Sequence, residues 1–285
     1  MQRSRTLLTG VAAVGLTLSV GLSACGSDDD KDASSKVTDD TETTVAKADP
    51  ASDTTKDFCT DYVAVTLAVN GMPGNQGGPD APQPSKDELK SWYEKNIATT
   101  IESIKGEVPD EISKDMEAML DAVTPIGASG DASKMRTPAV AESQANVDAW
   151  VTESCDDLNV HEVEAVDYGY KGLPKTAEAG PTAFVLTNTS PHDEMHEVAI
   201  LRKNDGVTES FTELLELPED QAMKNIEMKG MTYAEAGKAG TGYADLDPGE
   251  YLAICFIPKG ASEAKPNGDG PPHFMLGMQQ EFTVK

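Results

Sequence analysis

The sequence is poor in the residues on which most catalytic and nucleic-acid-binding sites depend. Its 285 residues include four His, four Cys and 5% aromatic residues, and 23 Lys plus Arg stand against 49 Asp plus Glu, for a net charge of −26. It contains no Gly-x-Ser-x-Gly elbow, His-Glu-x-x-His pair or phosphate-binding loop. Because an acidic surface repels phosphate, nucleic acid is a poor partner. We interpret the excess of acidic residues as a means of keeping the protein soluble; the alternative is a surface that binds a cationic partner protein.

The N-terminus has the pattern of a targeting segment. Arg3 and Arg5 precede an apolar run that ends in Leu22-Ser-Ala-Cys25. The run is too short and too rich in small residues for a transmembrane helix, which predicts a cleaved signal peptide over residues 1–24. The tetrapeptide resembles the bacterial lipobox, and that resemblance implies a lipid on Cys25 as a membrane anchor. We expect a lipoprotein on the extracytoplasmic side of the bacterial cell membrane; the alternative is an ordinary signal peptide with an incidental cysteine.

Two composition changes divide the rest of the chain. Residues 25–55 are acidic and almost free of large apolar side chains, so we expect a disordered tether there. Residues 56–157 have helical periodicity in four segments. The first segment stops at Asn70, the second begins at a Ser85–Glu88 capping box and carries its apolar stripe to Ile104, Pro109 opens the third and Pro138 the fourth. The pattern predicts a four-helix bundle.

Two cysteines lie at the ends of this helical region. Cys59 is near the start of the first helix and Cys155 follows the last. In an antiparallel bundle with an even number of helices, both chain ends lie at the same end of the bundle. In an oxidising compartment this predicts a Cys59–Cys155 disulfide, with two free thiols as the alternative.

Short strand-like segments replace the helical pattern in residues 158–285. Runs such as Pro181–Thr187, Glu197–Arg202 and Tyr251–Ile257 are rich in β-branched and apolar residues and are separated by turns. The pattern predicts a β-sandwich of Greek-key type. The fold class expected for the whole chain is therefore α+β, with a helical bundle domain followed by a β-sandwich domain.

Several metal-ligand residue types occur near the predicted strand ends. Cys255 ends one strand, the following loop contains His273, Met275 and Met278, and His196 begins an earlier strand with its side chain on the core-facing side. Thiolate, imidazole and thioether together are the ligand types of a blue-copper site. Cys255 is also the one cysteine without another predicted role. Its alternative role is that of a small core residue in an apolar strand.

The region from Val163 to Lys285 resembles the cupredoxins, the plastocyanin-like blue-copper domains. The resemblance rests on His196-Glu-Val-Ala-Ile, on Pro248-Gly-Glu-Tyr-Leu-Ala-Ile-Cys255 and on His273 with Met278 before the last strand. It implies copper as the cofactor and His196, Cys255, His273 and Met278 as its ligands, with Met275 a weaker candidate for the axial position. One departure is the 17 residues between Cys255 and His273, a longer loop than familiar members have.

The resemblance also implies a function. We expect electron transfer or copper handling, with a redox or copper-handling protein as partner and no enzymatic activity, since four histidines cannot supply the clusters of a multi-copper oxidase. The alternative is a metal-free sandwich that serves as a binding or interaction module.

Overall fold

The structure, a computed structural model, describes residues 53–74 and 83–285. It is an α+β protein in which helices are followed by two mixed β-sheets, and Asp49–Lys285 forms one compact unit. The predicted signal peptide, Cys25 and all but the last three residues of the predicted tether lie outside the described residues. In the part of the chain that is described, no helix is long and apolar enough to span a membrane.

The described residues contain five α-helices before the first strand. They are α1 (Asp53–Asn70), α2 (Lys86–Asn96), α3 (Ala98–Ile104), α4 (Ser113–Ser129) and α5 (Pro138–Ser154). The Ser85–Glu88 capping box is present at the start of α2. The prediction that one helix continues from α2 to Ile104 is wrong, because the backbone leaves helical geometry at Ile97 (φ −132°). The Ile97 side chain is buried. Pro109 precedes a short 3₁₀ turn, Asp110–Ile112, and α4 begins after it.

Nine strands follow within the described residues, with two short helices between the fifth and the sixth. They are β1 (Asn159–Val166), β2 (Gly169–Lys171), β3 (Thr176–Ala177), β4 (Gly180–Asn188), β5 (His196–Lys203), α6 (Phe211–Leu215), α7 (Glu219–Ala222), β6 (Ile226–Ala234), β7 (Ala239–Leu246), β8 (Gly249–Ile254) and β9 (Gln279–Val284). One sheet has the order β2-β1-β4-β7 and the other β3-β9-β8-β5-β6. The β1–β4 and β3–β9 pairs are parallel and the other pairs are antiparallel.

Both sheets are covered on both faces. The main core lies between them and includes Leu186 of β4, Ile200 of β5 and Tyr251 of β8. The outer face of the β5–β8 sheet packs on α6 and α7, and the outer face of the β4–β7 sheet packs on α1 and α5. This layering explains why the first six residues of β5 are all buried, instead of alternating between core and solvent.

A buried carboxylate joins the helices to the sheet. Asp148 of α5 accepts hydrogen bonds from the hydroxyls of Tyr62 on α1 and Tyr243 on β7, both at 2.7 Å. All three residues are at most 4% exposed. Burial raises the pKa of Asp148 to about 6, against the opposing effect of the two hydroxyl bonds. The helical part is thus attached to the β part by a polar contact as well as by apolar packing.

The predicted disulfide is present. Cys59 of α1 and Cys155, directly after α5, are bonded, and the bridge closes a sequence separation of 96 residues. Cys255 is the free cysteine of the described residues, and it is buried.

Candidate metal centre

The pairing of β5 with β8 brings two of the predicted ligands together where β5 begins and β8 ends. Ala199 of β5 lies opposite Ile254 of β8 in an antiparallel register. Continued by one residue, this register puts Cys255, the residue after the end of β8, opposite Val198, and His196 lies two residues before Val198 on the same face of β5. The backbone N–H of Glu197 points at the Cys255 sulfur, with an N–Sγ distance of 3.5 Å. The alternating side-chain direction of β5 puts His196 on the same face as Val198 and Ile200, which belong to the core between the sheets.

A closed set of backbone hydrogen bonds holds the other two ligands beside Cys255. His273 begins a 3₁₀ turn, His273–Leu276, and the N–H of Phe274 donates to Cys255 O. The N–H of Met278 donates to His273 O, and the N–H of Cys255 donates to Met278 O. Cys255, His273 and Met278 are therefore fixed relative to one another through the main chain.

Three ligand atoms converge in this arrangement. Nδ1 of His196 and Nδ1 of His273 are 3.1 Å apart, and Nδ1 of His273 is 3.4 Å from the Cys255 sulfur. The ligand atoms of these three residues all lie within 4.8 Å of one another. Met278 packs in the same core as Cys255, and all four residues are 0% exposed. The structure thus brings together the four residues that the sequence analysis selected.

The surroundings keep the donor atoms neutral without a metal. Burial raises the pKa of the Cys255 thiol to about 12. Burial, and the neighbouring His273, lower the pKa of His196 to about 4. Burial also lowers the pKa of His273, against an opposing effect of Glu194. Both imidazoles are therefore uncharged at neutral pH and available as ligands, and a metal must displace the thiol proton to gain the thiolate.

The long loop between Cys255 and His273 is internally bonded. Pro258 and Pro272 form a β-bridge at its base, and Lys259 N–H donates to Pro271 O. Lys259 O accepts from the N–H groups of Asp269 and Gly270. The 17 intervening residues therefore do not leave His273 on a free segment, since the bonds at the base hold the two ends of the loop together.

The other candidate residues lie elsewhere. Met275 is 66% exposed, so its place is on the surface, whereas Met278 is buried. His192 is exposed and pairs with Asp167 at 3.0 Å. His161 lies on β1 against the Phe184 ring and is partly buried.

Two acidic residues of the site were missed at the sequence level. Glu197 accepts a hydrogen bond from Phe256 N–H at 2.7 Å and is 7% exposed. Glu194 accepts from Gly260 N–H at 3.1 Å, and its second oxygen lies 3.1 Å from Nε2 of His273. Both flank His196 in the sequence, but an acidic residue near a strand start is ordinarily solvated. The sequence therefore gave no reason to bury them.

The residues present fit copper. Two imidazoles, a thiol and a thioether form the donor set of blue-copper sites, with the thioether as the weak axial ligand. The two Nδ1 atoms face each other and the sulfur in a fully buried space. In the described part of the chain, Nε2 of His196 has no hydrogen-bond partner.

No family model matches the chain, and no curated protein matches it. Among solved structures, it is similar to an auracyanin of the photosynthetic bacterium Roseiflexus castenholzii, at 19% identity, with 45% of this chain and 97% of that chain covered and a TM-score of 0.30. Auracyanin A, a "blue" copper protein of Chloroflexus aurantiacus, is 15% identical, with coverages of 45% and 99% and a TM-score of 0.29. An azurin of Methylomonas sp. strain J is 12% identical, with coverages of 45% and 98% and a TM-score of 0.27.

The metal site is defined by its own donor atoms and by their positions at the strand ends. A histidine at the start of β5, a cysteine at the end of β8 and a histidine and methionine before β9 meet at one end of a two-sheet sandwich. The β part of this chain is therefore a two-sheet sandwich with a His-Cys-His-Met cluster whose donor atoms suit copper.

Proposed function

We propose that this protein binds one copper ion through His196, Cys255, His273 and Met278 and uses it for electron transfer or copper handling. The observation that supports the proposal most directly is the convergence of two Nδ1 atoms and a thiol sulfur in a fully buried space. Bound copper would supply a one-electron redox couple, and we propose no enzymatic reaction.

The protein's own contribution to electron transfer is a site that keeps its shape. The backbone bonds among Cys255, His273 and Met278 resist movement of three ligands, and β5 fixes the fourth. A site that cannot rearrange avoids the cost of moving ligands when the charge of the metal changes. Full burial also excludes water from the open coordination positions. Both properties favour electron transfer over a role in rapid copper release.

Addition of Cu(II) to the purified mature protein tests the proposal. The wild-type protein should develop an intense visible thiolate-to-copper absorption, and it should unfold at higher temperature, since a ligand at 100 times its Kd stabilises by about 2.7 kcal/mol. Cys255→Ser should abolish the colour. His192→Ala, which removes an exposed histidine outside the site, is the matched control and should behave as wild type. A colourless titration without thermal stabilisation would refute copper binding and leave the metal-free binding module.

The place of action belongs to the same proposal. We propose that a lipid on Cys25 anchors the protein to the bacterial cell membrane and that residues 25–55 let the folded part reach a redox or copper-handling partner on the extracytoplasmic side. The disulfide supports an oxidising compartment. Metabolic labelling with a radioactive fatty acid should mark the wild-type protein and leave Cys25→Ala unmarked.

A finer description of the architecture accompanies the proposal. We propose that α2 and α3 act as one bent member of a four-helix bundle and that the strands follow a Greek-key order. Contacts of α4 with both α2 and α5, and of α1 with α3, support the bundle.

A further inference from the structure

A carboxylate lies behind the ligand histidine of the long loop. Glu194 Oε2 is 3.1 Å from Nε2 of His273, and the Glu194 side chain is 11% exposed. The distance is that of a hydrogen bond or an ion pair, although the present ring orientation leaves Nε2 without a hydrogen bond of good angle. Nε2 of His196 likewise has no hydrogen-bond partner among the described residues.

The direction of the His273 ring makes this contact important. Nδ1 of His273 faces Cys255 and His196, so Nδ1 is the atom that would bind a metal. A neutral imidazole carries one N–H, and a metal-binding nitrogen must be the unprotonated one. When a metal is bound at Nδ1, the proton of His273 must therefore be on Nε2, where Glu194 Oε2 is the neighbouring acceptor.

Glu194 is itself held in place. Its Oε1 accepts from Gly260 N–H at 3.1 Å, and the Tyr168 hydroxyl donates to Oε2 at 3.4 Å. Its backbone oxygen accepts from Asn188 Nδ2 at 2.8 Å. One oxygen thus binds the long loop through Gly260 while the other faces His273, so a single carboxylate connects the loop to the ligand.

We propose that Glu194 is a positioning residue that selects the Nε2–H tautomer of His273 and holds its Nδ1 toward the metal site. The consequence for the metal rests on the proposed function. A buried negative charge beside a ligand favours the higher charge of Cu(II) over that of Cu(I), and outer ligands of this kind typically change metal affinity 10–100-fold. Glu194 therefore lowers the reduction potential of the site.

Glu194→Gln is the informative variant, because an amide has one acceptor oxygen where a carboxylate has two. The single side-chain oxygen of the glutamine can accept either from Gly260 N–H or from His273 Nε2–H. In either orientation its NH₂ group then faces the other donor. Asp193→Asn is the matched control: it removes a charge from the adjacent, exposed residue of the same loop.

The first measurement needs no metal. Nitrogen-15 NMR of the histidine rings at fixed neutral pH reports which nitrogen carries the proton. The wild-type protein and Asp193→Asn should show His273 in the Nε2–H form, and Glu194→Gln should show a substantial Nδ1–H population. A wild-type His273 protonated on Nδ1 would overturn the proposal, and this result does not depend on whether the variant folds. A Glu194→Gln spectrum identical to that of wild type would also overturn it.

The second measurement uses the copper-loaded protein. Glu194→Gln should bind Cu(II) about 10–100-fold more weakly than wild type, with a smaller change for Cu(I). Each factor of ten by which the loss of Cu(II) affinity exceeds the loss of Cu(I) affinity raises the one-electron reduction potential by about 59 mV. Equal potentials for Glu194→Gln and Asp193→Asn would refute the effect on the metal. If wild type binds no copper but shows the Nε2–H form, the proposed function fails and the positioning role of Glu194 stands.

Discussion

The buried Asp148 makes a quantitative prediction about stability and pH. Its pKa is raised from an ordinary 3.8 to about 6 in the folded protein, chiefly by burial. A carboxyl group with a raised pKa binds its proton more tightly in the folded state. The group therefore contributes full stability below about pH 4 and loses it as pH rises toward and through 6. At 1.36 kcal/mol per pH unit, the loss reaches about 3 kcal/mol above pH 6.

Asp148→Asn isolates this contribution, because asparagine has nearly the same shape and does not titrate. Urea unfolding of wild type and variant at pH 5.0 and pH 7.5 gives two differences in unfolding free energy. Relative to wild type, the variant should gain about 1.4 kcal/mol of unfolding free energy between pH 5.0 and pH 7.5. This is roughly half of the full effect, because Asp148 in the unfolded chain is already largely ionised at pH 5. Other titrating groups cancel in this comparison.

Glu142→Gln is the control, since Glu142 is an exposed carboxylate on the same helix, and its two differences should be equal within error. Equal differences for Asp148→Asn would refute the reasoning. They would mean that the hydroxyls of Tyr62 and Tyr243 stabilise the charge enough to offset its burial at both pH values.

Two further predictions concern the disulfide and the axial ligand. Replacing both Cys59 and Cys155 with serine should lower the unfolding free energy by about 2–5 kcal/mol, measured by urea denaturation, because the bridge closes a separation of 96 residues; an unchanged midpoint would contradict it. Met278→Leu should shift the visible spectrum and the reduction potential of the copper-loaded protein, whereas Met275→Leu, at a 66% exposed position, should change neither; the reverse result would make Met275 the axial ligand.

The four ligand positions could be predicted from sequence because each has a local signal. His196 begins one apolar strand, Cys255 follows another, and His273 and Met278 lie between a proline pair and the last strand. These positions, together with the resemblance to cupredoxins, were enough to select the four residues that the structure brings together. Glu194 could not be predicted, because its burial depends on the fold of the loop that packs over it through Gly260. That loop has no periodic pattern that indicates its path.

In the helical part, too, features with a local sequence signal could be predicted and features that depend on distant residues could not. The capping box at Ser85 and the proline at the start of α5 mark helix starts by short-range chemistry, and both are present. The break at Ile97 has no proline or glycine to announce it, and the apolar stripe continues past it toward Ile101 and Ile104. The Asp148 contact joins residues 86 and 95 positions apart, beyond the reach of any local pattern.

The cover that α1 and α5 give to one sheet limits how the protein can be divided. Ala183 and Tyr243 on the outer face of that sheet are 0% exposed and pack against residues of these helices. A fragment expressed from residue 158 onward would keep all four proposed copper ligands but present a bare apolar face of β4 and β7 and an unpaired tyrosine hydroxyl. Such a fragment should self-associate, and biophysical work on the site will need the helices retained.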